Sequence, residues 1–147
     1  MMAYYSTKNY PPSLGLSAVF RQWRADSHCR FLHGYALGFR FKFTASYLDQ
    51  NGWVMDFGGL KPLRDALVEH YDHRVLVAED DPELDTFMQM SMRGLGRVIV
   101  QPRVGTEAFA LHGFNTAKRL VNDGRVRVIS CECYEHDGNS ASYVELE

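Results

Sequence analysis

The chain has 147 residues and a formal net charge of −2, with an isoelectric point near 6.3. That is enough for one domain with a real apolar core and too little for two, and the charge balance excludes a general nucleic-acid binder, which carries a basic excess. No apolar run approaches the ~20 residues of a membrane-spanning helix, and the odd count of Cys29, Cys131 and Cys133 argues against a disulfide framework. With no signal-peptide pattern at the start, the expected setting is reducing and cytoplasmic.

Residues 1–12 read as a polar and aromatic lead-in ending in Pro11-Pro12, and residues 13–23 as a first strand weakened by Gly15. A polar stretch over 20–35 follows as a loop between strands, where binding and catalytic residues concentrate. Next, Leu37, Phe39, Phe41, Phe43, Ala45 and Tyr47 alternate with Gly38, Arg40, Lys42, Thr44 and Ser46. Period-two alternation of that length is a strand with one apolar face. Asp49-Gln50-Asn51-Gly52 turns the chain, and Trp53-Val54-Met55 leads into a helix capped by Asp56 and running to about Tyr71. Leu60, Leu63, Leu67 and Tyr71 share its inner face.

A shorter helix over 82–93 has Asp81 as cap, Pro82 in first position and Gly94 as stop. Residues 97–101 form a small strand closed by Pro102. Thr106 then caps a helix that carries Phe109, Ala110, Phe114, Ala117 and Val121 toward the core, and Asn122-Asp123-Gly124 ends it. Residues 125–133 read as a second long strand, 135–139 as a turn and 140–146 as a last strand. The order is two strands, helices, then two strands.

Four groups of residues invite chemistry. Cys29 stands beside His28, His33, Arg21, Arg24 and Arg30; positive neighbours favour a thiolate, which suits a base or nucleophile, while the plain alternative is an inert half-buried thiol. The arginines can hold a phosphorylated small molecule or simply face solvent. Asp72-His73, at a helix end, makes either a proton relay or a terminal charge pair. Glu132 falls on the same alternating face as Val126 and Val128, where a carboxylate needs a partner; the guanidine-like edge of a pterin or purine would supply one, unless the side chain turns to solvent. Asp56-Phe57-Gly58 matches the magnesium-binding tripeptide of protein kinases, but the other kinase signatures are missing and Asp56 is read as a helix cap.

Taken in order, Leu16-Ser17-Ala18-Val19-Phe20, Cys29-Arg30-Phe31-Leu32-His33-Gly34, Trp53-Val54-Met55-Asp56-Phe57-Gly58-Gly59-Leu60-Lys61, Tyr71-Asp72-His73, Gly105-Thr106-Glu107 and Ser130-Cys131-Glu132 cover nearly the whole chain. This set resembles the 6-pyruvoyl-tetrahydropterin synthase and 6-carboxy-tetrahydropterin synthase family. The four-residue step from Cys29 to His33 looks like the bacterial 6-carboxy branch, which feeds queuosine-type 7-deazaguanine synthesis. The resemblance implies an α+β tunnelling fold: an antiparallel four-stranded sheet with two main helices on one face, assembling into a homo-oligomeric barrel, a trimer or hexamer. It implies a carbon–oxygen lyase acting on 7,8-dihydroneopterin triphosphate with a zinc ion. By position Cys29 is then the proton-abstracting thiolate, and Asp72 and His73 are the second acid–base pair. Glu132 anchors the pterin ring with Glu107 near it, and loop arginines, Arg24 among them, meet the triphosphate.

The family holds zinc with three histidines, and here Phe20 and Tyr35 stand at the first and third positions, leaving only His33. A catalytic zinc needs three protein ligands and an open position. Three expectations follow. His28 or His136 rebuilds a metal site with His33, with or without a cysteine; or the enzyme works without metal, the Tyr35 hydroxyl polarising the substrate side chain; or the domain binds a pterin or purine without the parent reaction.

Overall fold

A computed structural model describes residues 3–146. In chain order it has β1 (Tyr4–Tyr10), β2 (Leu16–Phe20), β3 (His33–Ala45), α1 (Lys61–Tyr71), β4 (Arg74–Ala78), α2 (Leu84–Met92), β5 (Val98–Gln101), α3 (Thr106–Val121), β6 (Val126–His136) and β7 (Asn139–Val144). Short 3-10 turns lie at Pro12–Leu14, His28–Arg30 and Phe57–Leu60.

The sheet is larger than the sequence reading expected. Seven strands run in the order β5-β4-β2-β3-β6-β7, with β1 also paired to β3. It is mixed rather than antiparallel, because β4 lies parallel to both β2 and β5. Two strands escaped the pattern for physical reasons. β1 is an edge strand that buries only Tyr10 fully, so its residues show no apolar alternation. β4 is buried at all five positions, since helices cover both its faces, and a strand buried on both sides does not alternate.

The main core lies between the sheet and two helices, α1 and α3. Phe39, Phe41 and Phe43 of β3 meet Leu63, Leu67 and Tyr71 of α1 and Phe109, Ala110, Phe114 and Ala117 of α3, all essentially excluded from solvent. Full burial of each phenylalanine contributes about 2 kcal/mol. Close approach of α3 needs Gly113, where a Cβ would fall 2.7 Å from the Cys131 sulfur. On the opposite face, α2 packs Phe87 against Val75 and Val77 in a smaller cluster. No helix among the described residues is long and apolar enough to cross a membrane.

Local details depart from the expected boundaries. The first strand is confined to Leu16–Phe20. Asp56 caps the 3-10 turn, accepting from Gly58 N, and α1 starts only at Lys61. α3 starts after Gly105 in the left-handed region (φ 114), and the Thr106 hydroxyl donates to Glu107 rather than capping the helix.

One irregularity in β6 decides which side chains enter the core. Lys42 pairs with Ser130 but Phe43 pairs with Val128, so Ile129 is an extra residue in the strand. Val126 and Val128 point inward before this bulge, and Cys131 and Cys133 after it. A one-residue insertion inverts every later side chain. Glu132 is therefore not on the face of Val126 and Val128 but on the opposite one.

Behind the core, buried polar rings form a chain. The Tyr71 hydroxyl is hydrogen-bonded to His112 Nδ1 at 2.7 Å. His112 stacks on His70 with centroids 3.8 Å apart, and His70 Nε2 lies 2.9 Å from Gln101 Oε1. Burial, with the neighbouring His70 and Arg119, pushes the His112 pKa down to about 4, so both stacked rings are neutral near pH 7.

Candidate functional site

The loop between β2 and β3 is fastened rather than free. Arg21 grips the nearly buried Asp81 with two hydrogen bonds, 2.8 and 2.6 Å, just beyond β4. Burial pushes the Asp81 carboxyl up, but the Arg21 hydrogen bond and the Glu83 N–H outweigh it and leave the pKa below the usual range. Trp23 Nε1 donates to Asp80, and Arg24 lies over the Trp23 ring while pairing with Asp80 at 2.9 Å. The structure thus sets Arg24 on the turn after β4. Gln22 N donates to Cys29 O, and the Ser27 hydroxyl accepts from Cys29 N, fixing the 3-10 turn that carries the thiol.

That turn delivers Cys29 to the end of the helix-bearing face, where β2 stops and β3 begins. Phe20, His33 and Tyr35 face the same side there. The Tyr35 phenol pKa is raised, chiefly by burial and then by the negative Glu135 and by Cys29 beside it. Burial likewise raises Cys133, with Cys131, Glu135 and Glu107 adding to it. A thiol, a phenol and the carboxylates of Glu107 and Glu135 therefore share one neighbourhood. Gln22 borders it, its amide donating to Val104 O beneath Gly105.

Glu135 and Gln22 were missed from sequence. Glu135 was read as a turn residue, yet β6 continues to His136, and at a second register shift, between Tyr134 and His136, Glu135 comes beside Tyr35 and Cys133. Glu132 lies on the other face, where its carboxylate accepts from Tyr134 O–H (3.0 Å) and Ser140 Oγ (2.7 Å) with Arg40 at 4.0 Å.

Asp72 and His73 form a built pair in a different place. Asp72 Oδ1 accepts from Ser17 N and lies 3.0 Å from His73 Nδ1, while His73 N donates to Ser17 O at 2.7 Å. The Ser17 and His73 contacts hold the Asp72 pKa low despite the desolvation that opposes them. His73 has φ 56, the one positive φ at a non-glycine among the described residues. Such backbone strain persists where the surroundings enforce it, often at functional sites. With Nδ1 beside Asp72, the exposed His73 lines a groove of about 710 Å³ together with Ser17, Val19, Gly34 and Arg97. Ser17 lies three residues, about 10 Å, from Phe20 and points to the opposite face. One chain thus keeps this pair apart from Cys29.

At the positions where the resemblance implies zinc, Phe20, His33 and Tyr35 close a triangle of rings with centroids 5.2, 5.3 and 6.0 Å apart. His33 Nδ1 lies 2.7 Å from Phe31 O, so that nitrogen donates and Nε2 is free. One imidazole, one phenol and a hydrocarbon ring are not a catalytic zinc set. Of the possible substitutes, His136 is occupied by its own turn, through Gly138 N and Asn139 Nδ2, and His28 is exposed on the loop. Among the described residues no three His, Cys, Asp or Glu side chains stand where they could hold a metal ion.

The α+β chain thus gathers a thiol, a phenol and two carboxylates near a cluster of aromatic rings. Residues 14–146 match the profile of the 6-pyruvoyl tetrahydropterin synthase family, and the chain belongs to that family. The fold matches an uncharacterized protein, WS1659, from Wolinella succinogenes, with TM-score 0.86 at 19% identity over 99% of this chain and 100% of that one. It also matches 6-pyruvoyl tetrahydropterin synthase from Plasmodium falciparum, with TM-score 0.71 at 15% identity over 100% of both chains. Among curated relatives, a 6-carboxy-5,6,7,8-tetrahydropterin synthase of Rickettsia conorii is 35% identical over 60 residues, 40% of this chain and 44% of that protein. A probable enzyme of the same name from Halobacterium salinarum is 31% identical over 87 residues, 59% of this chain and 55% of that protein. The chain thus spans about half the length of the curated relatives it matches.

Proposed function

We propose that this chain is a 6-carboxy-tetrahydropterin synthase-like carbon–oxygen lyase acting on 7,8-dihydroneopterin triphosphate or a related pterin. The observation that carries the reading is that Cys29 and Glu135 both lie close enough to the Tyr35 phenol to raise its pKa, at the aromatic cluster of Phe20, His33 and Tyr35. Cys29, as thiolate, removes a proton from a side-chain carbon; the electron pair left behind forms the new double bond as the carbon–oxygen bond to the triphosphate breaks and triphosphate leaves with its bonding pair. A 6-carboxy product then requires a carbon–carbon cleavage that releases the two outer side-chain carbons as an aldehyde. Tyr35 donates its hydroxyl proton as a hydrogen bond to a substrate oxygen. Glu135 takes the ring-anchoring role first given to Glu132, and with Glu107 accepts from the N–H groups of the heterocycle.

Asp72 and His73 join this chemistry only if the groove of one copy meets the Cys29 pocket of another, so the reading includes a homo-oligomer. The test is turnover of 7,8-dihydroneopterin triphosphate, expected in the wild type and lost in Cys29→Ala. Normal turnover in that variant would remove Cys29 from the mechanism.

A second reading has its own support in Phe20 and Tyr35 at the metal positions: a pterin- or purine-binding module of the same fold without the parent reaction. It expects ligand binding with no product released, and loss of that binding in Glu135→Ala.

A further inference from the structure

We infer that the Phe20–His33–Tyr35 triangle is a metal-free aromatic wall, and that a pterin bound there is held without an ion to chelate its side-chain oxygens. The heterocycle half of this rests on the pterin reading of the same pocket; the wall stands on its geometry alone.

The wall is rigid where a metal donor would have to enter. Phe20 is 2% exposed, and it meets Phe109 of α3 edge-on at 5.1 Å and 89°. It cannot swing aside without opening the core. Tyr35 presents one oxygen, already beside Glu135, which can meet a single ligand oxygen but cannot grip two. Beside the wall, Glu135 neighbours Tyr35, and Glu107 and the Gln22 amide, pinned to Val104 O, lie together at Gly105. Carboxylates next to the ring faces suit a flat base with several N–H donors.

The same geometry says how little separates this wall from a metal centre. His33 already donates through Nδ1 to Phe31 O, the kind of hydrogen bond that fixes the tautomer of a ligating imidazole and leaves Nε2 its lone pair. Phe20 and Tyr35 flank it at ring-contact distance. Two substitutions would therefore supply the missing donors.

The experiment compares zinc uptake by the wild type and by Phe20→His/Tyr35→His, by metal analysis after desalting and by competition with a chromophoric chelator. The wild type is expected to retain no stoichiometric zinc and the double variant about one ion per chain. Because Phe20 is buried, circular dichroism checks the fold, and Tyr35→His alone, which creates a His-x-His pair, is expected to bind cobalt weakly with a visible spectrum. Stoichiometric zinc in the wild type that disappears in His33→Ala would overturn the wall, as would a folded double variant that takes up none. In the ligand arm, calorimetry is expected to show pterin and neopterin each binding equally with and without EDTA. Neopterin binding that is weakened about tenfold or more by EDTA would overturn the metal-free hold. Binding of neither overturns the pterin reading of the pocket, and zinc uptake then decides the wall by itself.

Discussion

Arg21 and Asp81 are joined by a two-pronged ion pair, 60 residues apart in sequence, and through it the turn bearing Cys29 is fastened to the end of β4. The Asp81 side chain is 1% exposed, so removing its partner strands a buried charge. Arg21→Ala is expected to lower stability by about 2–4 kcal/mol in urea unfolding and to weaken any activity that depends on Cys29. The paired change Arg21→Met/Asp81→Leu should recover most of the stability. A single variant within about 0.5 kcal/mol of wild type would mean the pair is solvated in solution.

The stacked histidines make stability depend on mild acid. His112 has a folded pKa of about 4, below its ordinary 6.5, so the unfolded chain binds the extra proton first. Its stabilising effect is complete above pH 6.5 and is lost as pH falls from there to about 4. Urea midpoints measured across that window should decline in the wild type. His112→Asn, which keeps a polar group near Tyr71, should give a flatter profile. Equal slopes would show that other groups dominate there.

His73 holds its left-handed backbone against the preference of any residue with a Cβ. His73→Gly should therefore be more stable than His73→Ala by about 1 kcal/mol, while both lack the imidazole and both should lose turnover. Equal stability in thermal unfolding would mean that the strain relaxes in solution.

Glu135 and Glu132 separate the two possible anchors. Replacing Glu135 with Gln should weaken pterin binding by about 10- to 100-fold, the range of a hydrogen bond to a charged group. Glu132→Gln should leave binding near wild type, because that carboxylate serves Tyr134 and Ser140 on the far face. The reverse ranking by calorimetry would return the anchor to Glu132.

What could be read in advance was what short-range pattern encodes. Alternation from Leu37 to Ala45 announced β3, and the spacing of Phe109, Ala110, Phe114 and Ala117 announced α3. Phe20, His33 and Tyr35 were recognised as a set because their order along the chain is enough, and the structure brings their rings into contact. β4 was hidden because burial on both faces erases the period, and β1 because an edge strand buries too little to show one. The error at Glu132 had one cause: Ile129 adds a residue that no local rule marks, and every inference made by counting twos beyond it was inverted. The separation of Asp72–His73 from Cys29 is a tertiary fact, set by which end of β2 each one contacts.

That separation has a kinetic consequence. A chain whose thiol and strained imidazole lie on opposite faces of its own sheet cannot complete the proposed chemistry by folding. Its rate per chain should collapse on dilution below the dissociation constant of the oligomer, before any loss of helix signal. Cys29→Ala and His73→Ala chains, each inert, should recover part of the activity when unfolded together and refolded as a mixture. A mixture as inert as its parents would mean that the two groups never serve the same molecule of substrate.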